Sequence, residues 1–250
     1  MKKIATGLSL FFLLASCNSK TFKNNKITAK TTTIDSSITT TPAIDSTIAP
    51  YKKKLLSEIN KVLTTSSKKL VRTDGELQSS LGNLMADMCY DIANPIFREK
   101  TGKNIDFAMF NYGGIRAGLP EGNITNRHAF ELMPFENSLV VAELSGKKIE
   151  ELVSYFIAGA KAHPLSKNIQ LELQGSAYTL HIQGKPFDPN KTYTVLTSDY
   201  LQGGGDRMDF FKNPVQLTLL DYKVRDAIIK YFKSVTTLTP QLDQRVVVKN

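Results

Sequence analysis

Histidine and cysteine are both scarce in this sequence of 250 residues, and this scarcity limits the chemistry the chain can perform. None of its three histidines, His128, His163 and His181, belongs to an Asp-x-His, Gly-Asn-His or His-x-His arrangement. A centre that binds two divalent cations needs several histidine and carboxylate ligands, so the sequence does not predict one. We interpret each histidine as a surface or turn residue.

Other catalytic signatures are also missing. The sequence has no serine nucleophile elbow and no phosphate-binding P-loop. Its two cysteines, Cys17 and Cys89, do not form a Cys/His ligand motif. Cys89 lies in an apolar helical segment, which predicts a buried free thiol rather than a disulfide. By itself the chain shows no recognisable catalytic centre.

Positive charge is plentiful, but it is confined to one end of the chain. The net charge is +9. Residues 1–72 carry 13 Lys and Arg against 3 Asp and Glu, whereas residues 73–250 carry 19 against 20. The later residues show no basic stripe with interleaved aromatics, so we do not expect nucleic-acid binding.

The first residues are typical of a bacterial lipoprotein leader. Lys2 and Lys3 precede an apolar run over residues 8–14, which is too short to span a bilayer. Leu-Ala-Ser-Cys then resembles a lipoprotein processing box, which predicts cleavage before Cys17 and acylation of its sulfur. The alternative is an ordinary signal peptide with an incidental cysteine. Lipidation would anchor the protein in the bacterial cell envelope, on the periplasmic side or at the outer-membrane surface.

Three regions follow from composition. Residues 1–17 are the predicted leader, and residues 18–50, rich in Thr, Ser and Lys, are predicted to be a flexible tether. Residues 51–250 are predicted to form the folded domain. It would begin with an amphipathic helix that carries Leu55, Ile59 and Val62 at helical spacing.

The folded domain is predicted to be α+β with a mixed β-sheet and flanking helices, because helices and strands alternate without a regular βαβ repeat. A helix is predicted between a Ser79 or Ser80 cap and Gly102. Further predicted elements are a buried strand that breaks at "NYGG", the strand "NSLVVAELSG", the helix "KKIEELVSYFIAGA", three strands between residues 169 and 201, the helix "YKVRDAIIKYFKSV" and a terminal edge strand "QRVVVKN".

Two glycine-containing stretches are candidate binding segments. In "FNYGGIR" the Asn111 amide can donate and accept hydrogen bonds, and the Arg116 fork suits a phosphate or carboxylate. The alternative is a glycine turn with a solvated arginine. In "DYLQGGGDR" Tyr200 could stack on a flat ring and Asp206 could accept hydrogen bonds from sugar hydroxyls. The alternative there is a tight turn between two strands.

A third segment, "MPFENSL", places Phe135 after a proline-fixed turn. Phe135 and Tyr200 could clamp one flat ring from both sides, each stacking contact contributing about 1–3 kcal/mol. Ordinary core packing is the alternative for Phe135.

Taken together, "NYGGIR…GNIT…MPFEN…LSGKKIEELV…DYLQGGGDRMDFF" resembles the C-terminal, substrate-binding domain of the 5′-nucleotidase / UDP-sugar hydrolase family, from "SSLGNLMADM" to the C-terminus. The resemblance implies that Asn111 and Arg116 contact the substrate. It also implies that Phe135 and Tyr200 stack on the base and that Asp206 binds the ribose hydroxyls. Asn137 occupies the family's asparagine position.

Two departures from the family pattern qualify this resemblance. Family members carry an N-terminal metallophosphatase domain that supplies two metals and the catalytic histidine, where this sequence has its predicted leader and tether. They also tend to have Arg-Glu before the Leu-Gly-Asn helix, where this chain has Leu77 and Gln78.

The resemblance implies the nucleotide-recognition half of a phosphohydrolase acting on nucleoside 5′-monophosphates or nucleotide sugars. This chain would hold no cofactor itself, and a separately encoded metallophosphatase would supply two divalent metals. The alternatives are a non-catalytic nucleoside- or nucleotide-binding lipoprotein and a remnant domain used only for protein contacts.

Overall fold

The structure is a computed structural model that describes residues 25–175 and 177–249. The predicted leader and its Cys17 therefore lie outside the described residues. The chain divides into two units, residues 1–48 and residues 49–250. In the described part of the chain no helix has both the length and the apolar character needed to cross a membrane.

The first described helix, α1, differs from its prediction at both ends. It runs over Pro42–Ile59, so it begins inside the segment predicted to be a tether, and none of its residues is buried. Val62 does not continue the helix but begins strand β1, Val62–Ser66. The apolar residues assigned to one helix face therefore belong to two elements.

The long helix α2, Ser80–Thr101, agrees with its predicted caps. Ser79 accepts a hydrogen bond from the Gly82 N–H (3.0 Å), and Gly102 adopts a left-handed conformation (φ 73°) with its N–H bonded to the Arg98 carbonyl. Cys89 on this helix is fully buried and free, as predicted. Burial raises the pKa of its thiol.

The remaining elements complete three small sheets. In chain order they are β2 Phe107–Ala108, β3 Gly122–Thr125, α3 Asn126–Leu132, β4 Ser138–Ser145, α4 Gly146–Gly159, β5 Ile169–Gln174, β6 Ala177–Ile182, β7 Lys185–Pro186, β8 Thr192–Ser198, α5 Asp199–Gln202, β9 Gln216–Lys223, α6 Val224–Ser234, β10 Thr237–Leu238 and β11 Val246–Val248. The sheets have the orders β10-β1-β3, β11-β5-β6-β7 and β2-β8-β4-β9. Each sheet contains one parallel pair, β1–β10, β5–β11 and β2–β8 respectively, and is otherwise antiparallel. The α+β prediction with mixed sheet pairing is confirmed.

Strand β9 is absent from the sequence-based prediction. That prediction began the last helix at Tyr222, whereas α6 begins at Val224 and the preceding residues form an edge strand paired with β4. Leu217 and Leu219 on β9 are exposed. Residues 216–219 alternate between polar and apolar, as strand residues often do, and the prediction did not use this signal.

The β2-β8-β4-β9 sheet brings four chain segments to one edge, the one at the carboxyl ends of β2 and β8. Strands β2 and β8 are parallel, so the residues that follow both strands lie at the same edge. The antiparallel partner β4 begins at that edge, where Leu139 pairs with Ser198, and β9 ends there, where Lys223 pairs with Ser138. Loops distant in sequence meet at this edge.

Candidate functional site

All the predicted binding residues line a single pocket at this sheet edge. The pocket has a volume of about 260 Å³. Its lining comprises the six predicted residues, Asn111, Arg116, Phe135, Asn137, Tyr200 and Asp206, together with Phe110, Gly113, Gly114, Met133, Ser198 and Val224. Their roles toward a ligand remain predictions.

One wall of the pocket is the turn that follows β2. Asn111 precedes a short 3₁₀ helix, Tyr112–Gly114. A Cβ on Gly114 would lie 2.7 Å from the Asn111 side-chain oxygen, which explains why glycine is required there. Arg72 donates hydrogen bonds to the Tyr112 carbonyl (3.1 Å) and the Ile115 carbonyl (2.6 Å). The turn is therefore held from outside the pocket.

His163 holds the same turn from the interior. The Tyr112 N–H donates to Nδ1 of His163 (3.1 Å), so this nitrogen must be unprotonated. His163 is only 4% exposed, and burial lowers its pKa to about 4. The prediction that every histidine is a surface or turn residue is wrong for His163. Its burial depends on packing: the ring centres of Tyr155 and Phe156 lie 5.4 and 5.8 Å from that of the imidazole, and the Tyr112 N–H reaches it across 51 positions of sequence.

The glycine-rich loop forms the opposite wall. Ser198 caps α5 by accepting the Leu201 N–H (3.3 Å). Gly204 has a left-handed backbone (φ 91°), and a Cβ on Gly205 would lie 2.5 Å from the Tyr200 ring. The glycines thus provide both a turn and a close approach, and the group that approaches Gly205 is the chain's own aromatic ring.

The Asp206 carboxylate is the polar centre of the pocket. One oxygen accepts a hydrogen bond from the Asn111 amide (2.6 Å), and the other accepts one from the Tyr200 hydroxyl (2.9 Å). The Tyr155 hydroxyl donates to the Asp206 backbone carbonyl (2.9 Å). The hydrogen bond to Asp206 is the main reason why the pKa of Tyr200 is raised. Asn111, Tyr200 and Asp206 therefore form one network across the pocket.

Two aromatic side chains remain partly exposed in this pocket. Phe135 is 40% exposed and Tyr200 is 48% exposed. The Arg116 guanidinium carbon lies 5.9 Å from the centre of the Phe135 ring, and its Nη1 is 3.4 Å from the Gly113 carbonyl. Arg116 is itself exposed, so its charge is available to an anionic group beside the aromatic surface.

Phe135 is carried by a segment held by Arg225, a residue that the sequence-based prediction did not include. Arg225 is buried on the first turn of α6 and is ion-paired with Glu136. A signal for it exists in the sequence. Arg225 shares a helix face with Ile228 and Phe232, both buried, and a charged residue on an apolar helix face calls for a specific partner.

The two residues at the departure from the family pattern do not line the pocket. Gln78 donates to the Asp243 carbonyl (2.7 Å) and the Val246 carbonyl (3.0 Å), which holds the C-terminal segment. Leu77 packs against the core. Among the described residues, this position therefore contributes to structure rather than to the pocket.

The pocket does not suit a two-metal centre. Asp206 is the only carboxylate among the described residues that line it, and its oxygens already accept hydrogen bonds from neutral side chains. Within residues 25–175 and 177–249, no group of three or more His, Cys, Asp or Glu side chains is arranged to hold a metal ion. What the pocket offers instead is aromatic surface, one carboxylate and one exposed guanidinium.

The fold and pocket first define a class: an α+β domain with a concave site where several loops meet at one sheet edge. The chain belongs to the family described as 5′-nucleotidase, C-terminal domain, which residues 61–213 match.

Comparison with known proteins supports this assignment. The chain is 33% identical over 127 residues to Protein UshA of Yersinia enterocolitica, a match that covers 48% of this chain and 23% of that protein. It is 27% identical over 235 residues to Cell wall protein Lmo0130 of Listeria monocytogenes, covering 82% of this chain and 28% of that protein.

Among solved structures, the 5′-nucleotidase precursor from Thermus thermophilus superposes with a TM-score of 0.68 at 22% identity, covering 82% of this chain and 43% of that one. This similarity shows the fold. The chain thus spans less than half the length of each of these proteins.

Proposed function

We propose that this chain is the nucleotide-recognition half of a 5′-nucleotidase-type phosphohydrolase. The observation that carries the proposal is the joint placement of Phe135, Tyr200 and Asp206 in one pocket, with both rings partly exposed. Its ligand would be a nucleoside 5′-monophosphate or a nucleotide sugar.

Each part of such a ligand has a chemically suitable partner. A base is flat and stacks on aromatic rings, with about 1–3 kcal/mol per contact. Ribose hydroxyls are donors that suit the Asp206 carboxylate. The phosphate is an anion, and Arg116 is an exposed guanidinium at the same pocket. Asn111 and Asn137 add amide groups that donate and accept.

Under this proposal, hydrolysis needs a separately encoded metallophosphatase with two divalent metals. The present chain would hold the nucleoside and orient the phosphoester, a contribution to rate through positioning. Acylation of Cys17 would hold the protein in the bacterial cell envelope, facing the periplasm or the outer surface.

Binding is tested by calorimetry of the purified chain with adenosine, AMP and UDP-glucose. We expect Tyr200→Ala and Phe135→Ala each to weaken binding by about 1–3 kcal/mol. Tyr51→Ala is the matched control, because Tyr51 is an aromatic residue on α1 that is 76% exposed and does not line the pocket. Unchanged binding in both pocket variants would exclude the aromatic clamp.

Catalysis is tested separately by phosphate release. The chain is mixed with a purified metallophosphatase of the 5′-nucleotidase type from the same organism and a divalent metal, with AMP as substrate. The proposal expects faster release from the mixture than from the phosphatase alone. Equal rates, with AMP binding intact, would contradict the split enzyme and leave recognition standing.

A second candidate function is nucleoside capture without catalysis. It is favoured by the fact that the pocket is lined by residues from one compact unit, residues 49–250. Micromolar binding of adenosine by the chain alone, with no effect on phosphate release by any partner, would support this function instead.

A further inference from the structure

The segment Met133–Asn137, between α3 and β4, carries three of the residues that line the pocket. Met133, Phe135 and Asn137 all face it, and Phe135 is the aromatic group proposed to stack on the base. The segment contains Pro134 and lies outside helix and sheet. Contacts with other parts of the molecule must therefore fix most of the orientation of Phe135.

The junction between β9 and α6 supplies these contacts. Lys223 Nζ donates to the Glu136 carbonyl (2.7 Å), and the Val224 N–H donates to the Asn137 carbonyl (3.0 Å). Arg225 Nη1 lies 3.3 Å from the Met133 carbonyl and 3.4 Å from the Phe135 carbonyl. One guanidinium nitrogen therefore bridges the carbonyls on either side of Pro134.

Arg225 is itself held in a fixed orientation. Its guanidinium carbon lies 4.3 Å from the centre of the Phe130 ring, and its Nη2 is ion-paired with the Glu136 carboxylate. The arginine is 7% exposed. Burial of a charge is costly unless it is paired, so this placement needs its specific contacts. A planar guanidinium can stack and donate in several directions at once, which a lysine ammonium cannot reproduce.

We propose that Arg225 is a positioning residue that fixes the Met133–Asn137 segment and thereby sets the orientation of Phe135 in the pocket. The consequence for ligand affinity rests on the proposed nucleotide-binding function, whereas the effect on Phe135 does not. Arg225 does not itself line the pocket. Its influence on a ligand would pass entirely through the segment.

The orientation of Phe135 can be followed without any ligand. The sequence contains no tryptophan, so Phe135→Trp introduces a single tryptophan, which can be excited apart from the tyrosines, at a position that is 40% exposed. In this background we compare Arg225→Lys and Glu136→Gln with the parent by fluorescence anisotropy and acrylamide quenching. Glu136 has a side chain that is 70% exposed, so its variant is expected to fold even if the arginine variant is unstable.

Arg245 provides the matched control. It is also buried, at 5% exposure, and is paired with Asp87 and Asp243, but it does not line the pocket or contact the Met133–Asn137 segment. Arg245→Lys therefore repeats the same chemical change at a site remote from Phe135. All variants are measured below the midpoint of thermal unfolding, which circular dichroism gives for each of them.

We expect Arg225→Lys to lower the anisotropy of the reporter and to raise its quenching constant roughly twofold, with a smaller change for Glu136→Gln and none for Arg245→Lys. In the chain with Phe135 intact, Arg225→Lys should raise the Kd for adenosine roughly tenfold. The proposal is overturned if the reporter is unaffected by both segment variants, or if Arg245→Lys affects it equally. If the reporter responds while the Kd of a ligand-binding chain is unchanged, Arg225 fixes the segment but the consequence for ligand affinity is contradicted. If the unmodified chain binds no nucleoside, the proposed function fails, and the reporter still decides whether Arg225 fixes the segment.

Discussion

Two buried arginines in this domain hold two different regions, the C-terminal segment and a segment of the pocket. Arg245 holds the C-terminal segment: its Nε donates to Asp243, its Nη2 to Asp87 and its Nη1 to the Leu165 carbonyl (2.6 Å). All three of its nitrogens have partners. Arg225 holds a pocket segment through longer carbonyl contacts, and its buried Nε has no hydrogen-bond partner among the described residues.

The two arginines differ in how completely their hydrogen bonds are satisfied. Buried polar atoms normally have partners, and each exception calls for an explanation. Among the described residues, five buried side-chain atoms have no hydrogen-bond partner: Ser80 Oγ, His163 Nε2, Asn168 Oδ1, Thr197 Oγ1 and Arg225 Nε. Two of them, on His163 and Arg225, belong to residues that hold pocket segments, and there a loss of stability can serve function. The C-terminal region has the opposite character, with its arginine fully engaged.

The largest expected effect is a loss of stability when Arg245, the arginine with a partner for every nitrogen, is replaced. Arg245→Met should lower the free energy of unfolding by about 3–5 kcal/mol, because it leaves Asp87 and a buried carbonyl without their partner. Urea denaturation measures the change. Lys249→Gln, which removes an exposed ion pair with Glu172, should cost no more than about 1 kcal/mol. A loss of similar size in both variants would contradict the distinction between the two pairs.

The next effect concerns the pocket itself. Asp206→Asn should weaken adenosine binding by about 1.5–3 kcal/mol through the loss of a charged acceptor. Asparagine tolerates the left-handed backbone of this position (φ 53°). Its single oxygen cannot accept from both Asn111 and Tyr200, so the free energy of unfolding should fall by about 0.5–1.5 kcal/mol. Calorimetry should show little effect with 2′,3′-dideoxyadenosine, which lacks the hydroxyls. Asp209→Asn, in the same loop but outside the pocket, should bind as the parent does.

Protonation of His163, the buried residue that holds one pocket wall, should make the stability of the domain depend on pH. Burial lowers the pKa of His163 to about 4 in the folded state, below the value of about 6.5 expected when unfolded. The unfolded chain therefore binds the proton first. The stability that comes from keeping His163 neutral is fully present above about pH 6.5 and is lost as pH falls towards 4. The loss in free energy of unfolding is about 2 kcal/mol at pH 5. In urea titrations, His163→Asn should flatten this dependence, and an unchanged slope would show that other groups cause it.

The smallest expected effect is an increase in ligand affinity rather than a loss. Tyr200→Phe removes the hydroxyl that occupies one oxygen of Asp206 and keeps the ring. The freed oxygen should strengthen adenosine binding by about 0.5–1.5 kcal/mol in calorimetry. Tyr155→Phe is the control, since its hydroxyl bonds to the Asp206 backbone and not to the carboxylate. Weaker binding in the Tyr200 variant would mean that this hydroxyl serves the ligand directly.

The sequence allowed prediction of those parts of the fold in which local signals and tertiary packing agree. The Ser79 and Gly102 caps define α2 because capping depends on residues within one turn. Strand β9 was missed although residues 216–219 alternate between polar and apolar, because the alternation breaks at Leu220. Val62 was assigned to a helix because its spacing from Ile59 fits one, whereas pairing with Thr125 places it in a strand.

The same contrast between local signals and long-range contacts applies to the candidate site. Motifs named six residues that line the pocket, whereas Met133, Ser198 and Val224, which also line it, were not named. The residues that hold those motifs in place, such as His163 and Arg225, depend on contacts between distant parts of the chain. Sequence spacing does not encode these contacts, although Arg225 on an apolar helix face gave a partial signal.

The pairing of β1 with β10 also bears on how the domain is made. The first strand of the domain takes as its neighbour one of the last, and Thr65 bonds to Thr237 across a separation of 172 residues. Contacts of this range are slow to form. A chain emerging from the ribosome cannot close this sheet until almost all of the domain has been synthesised. We therefore expect the domain to gain its stability in one late step, rather than element by element as the chain emerges.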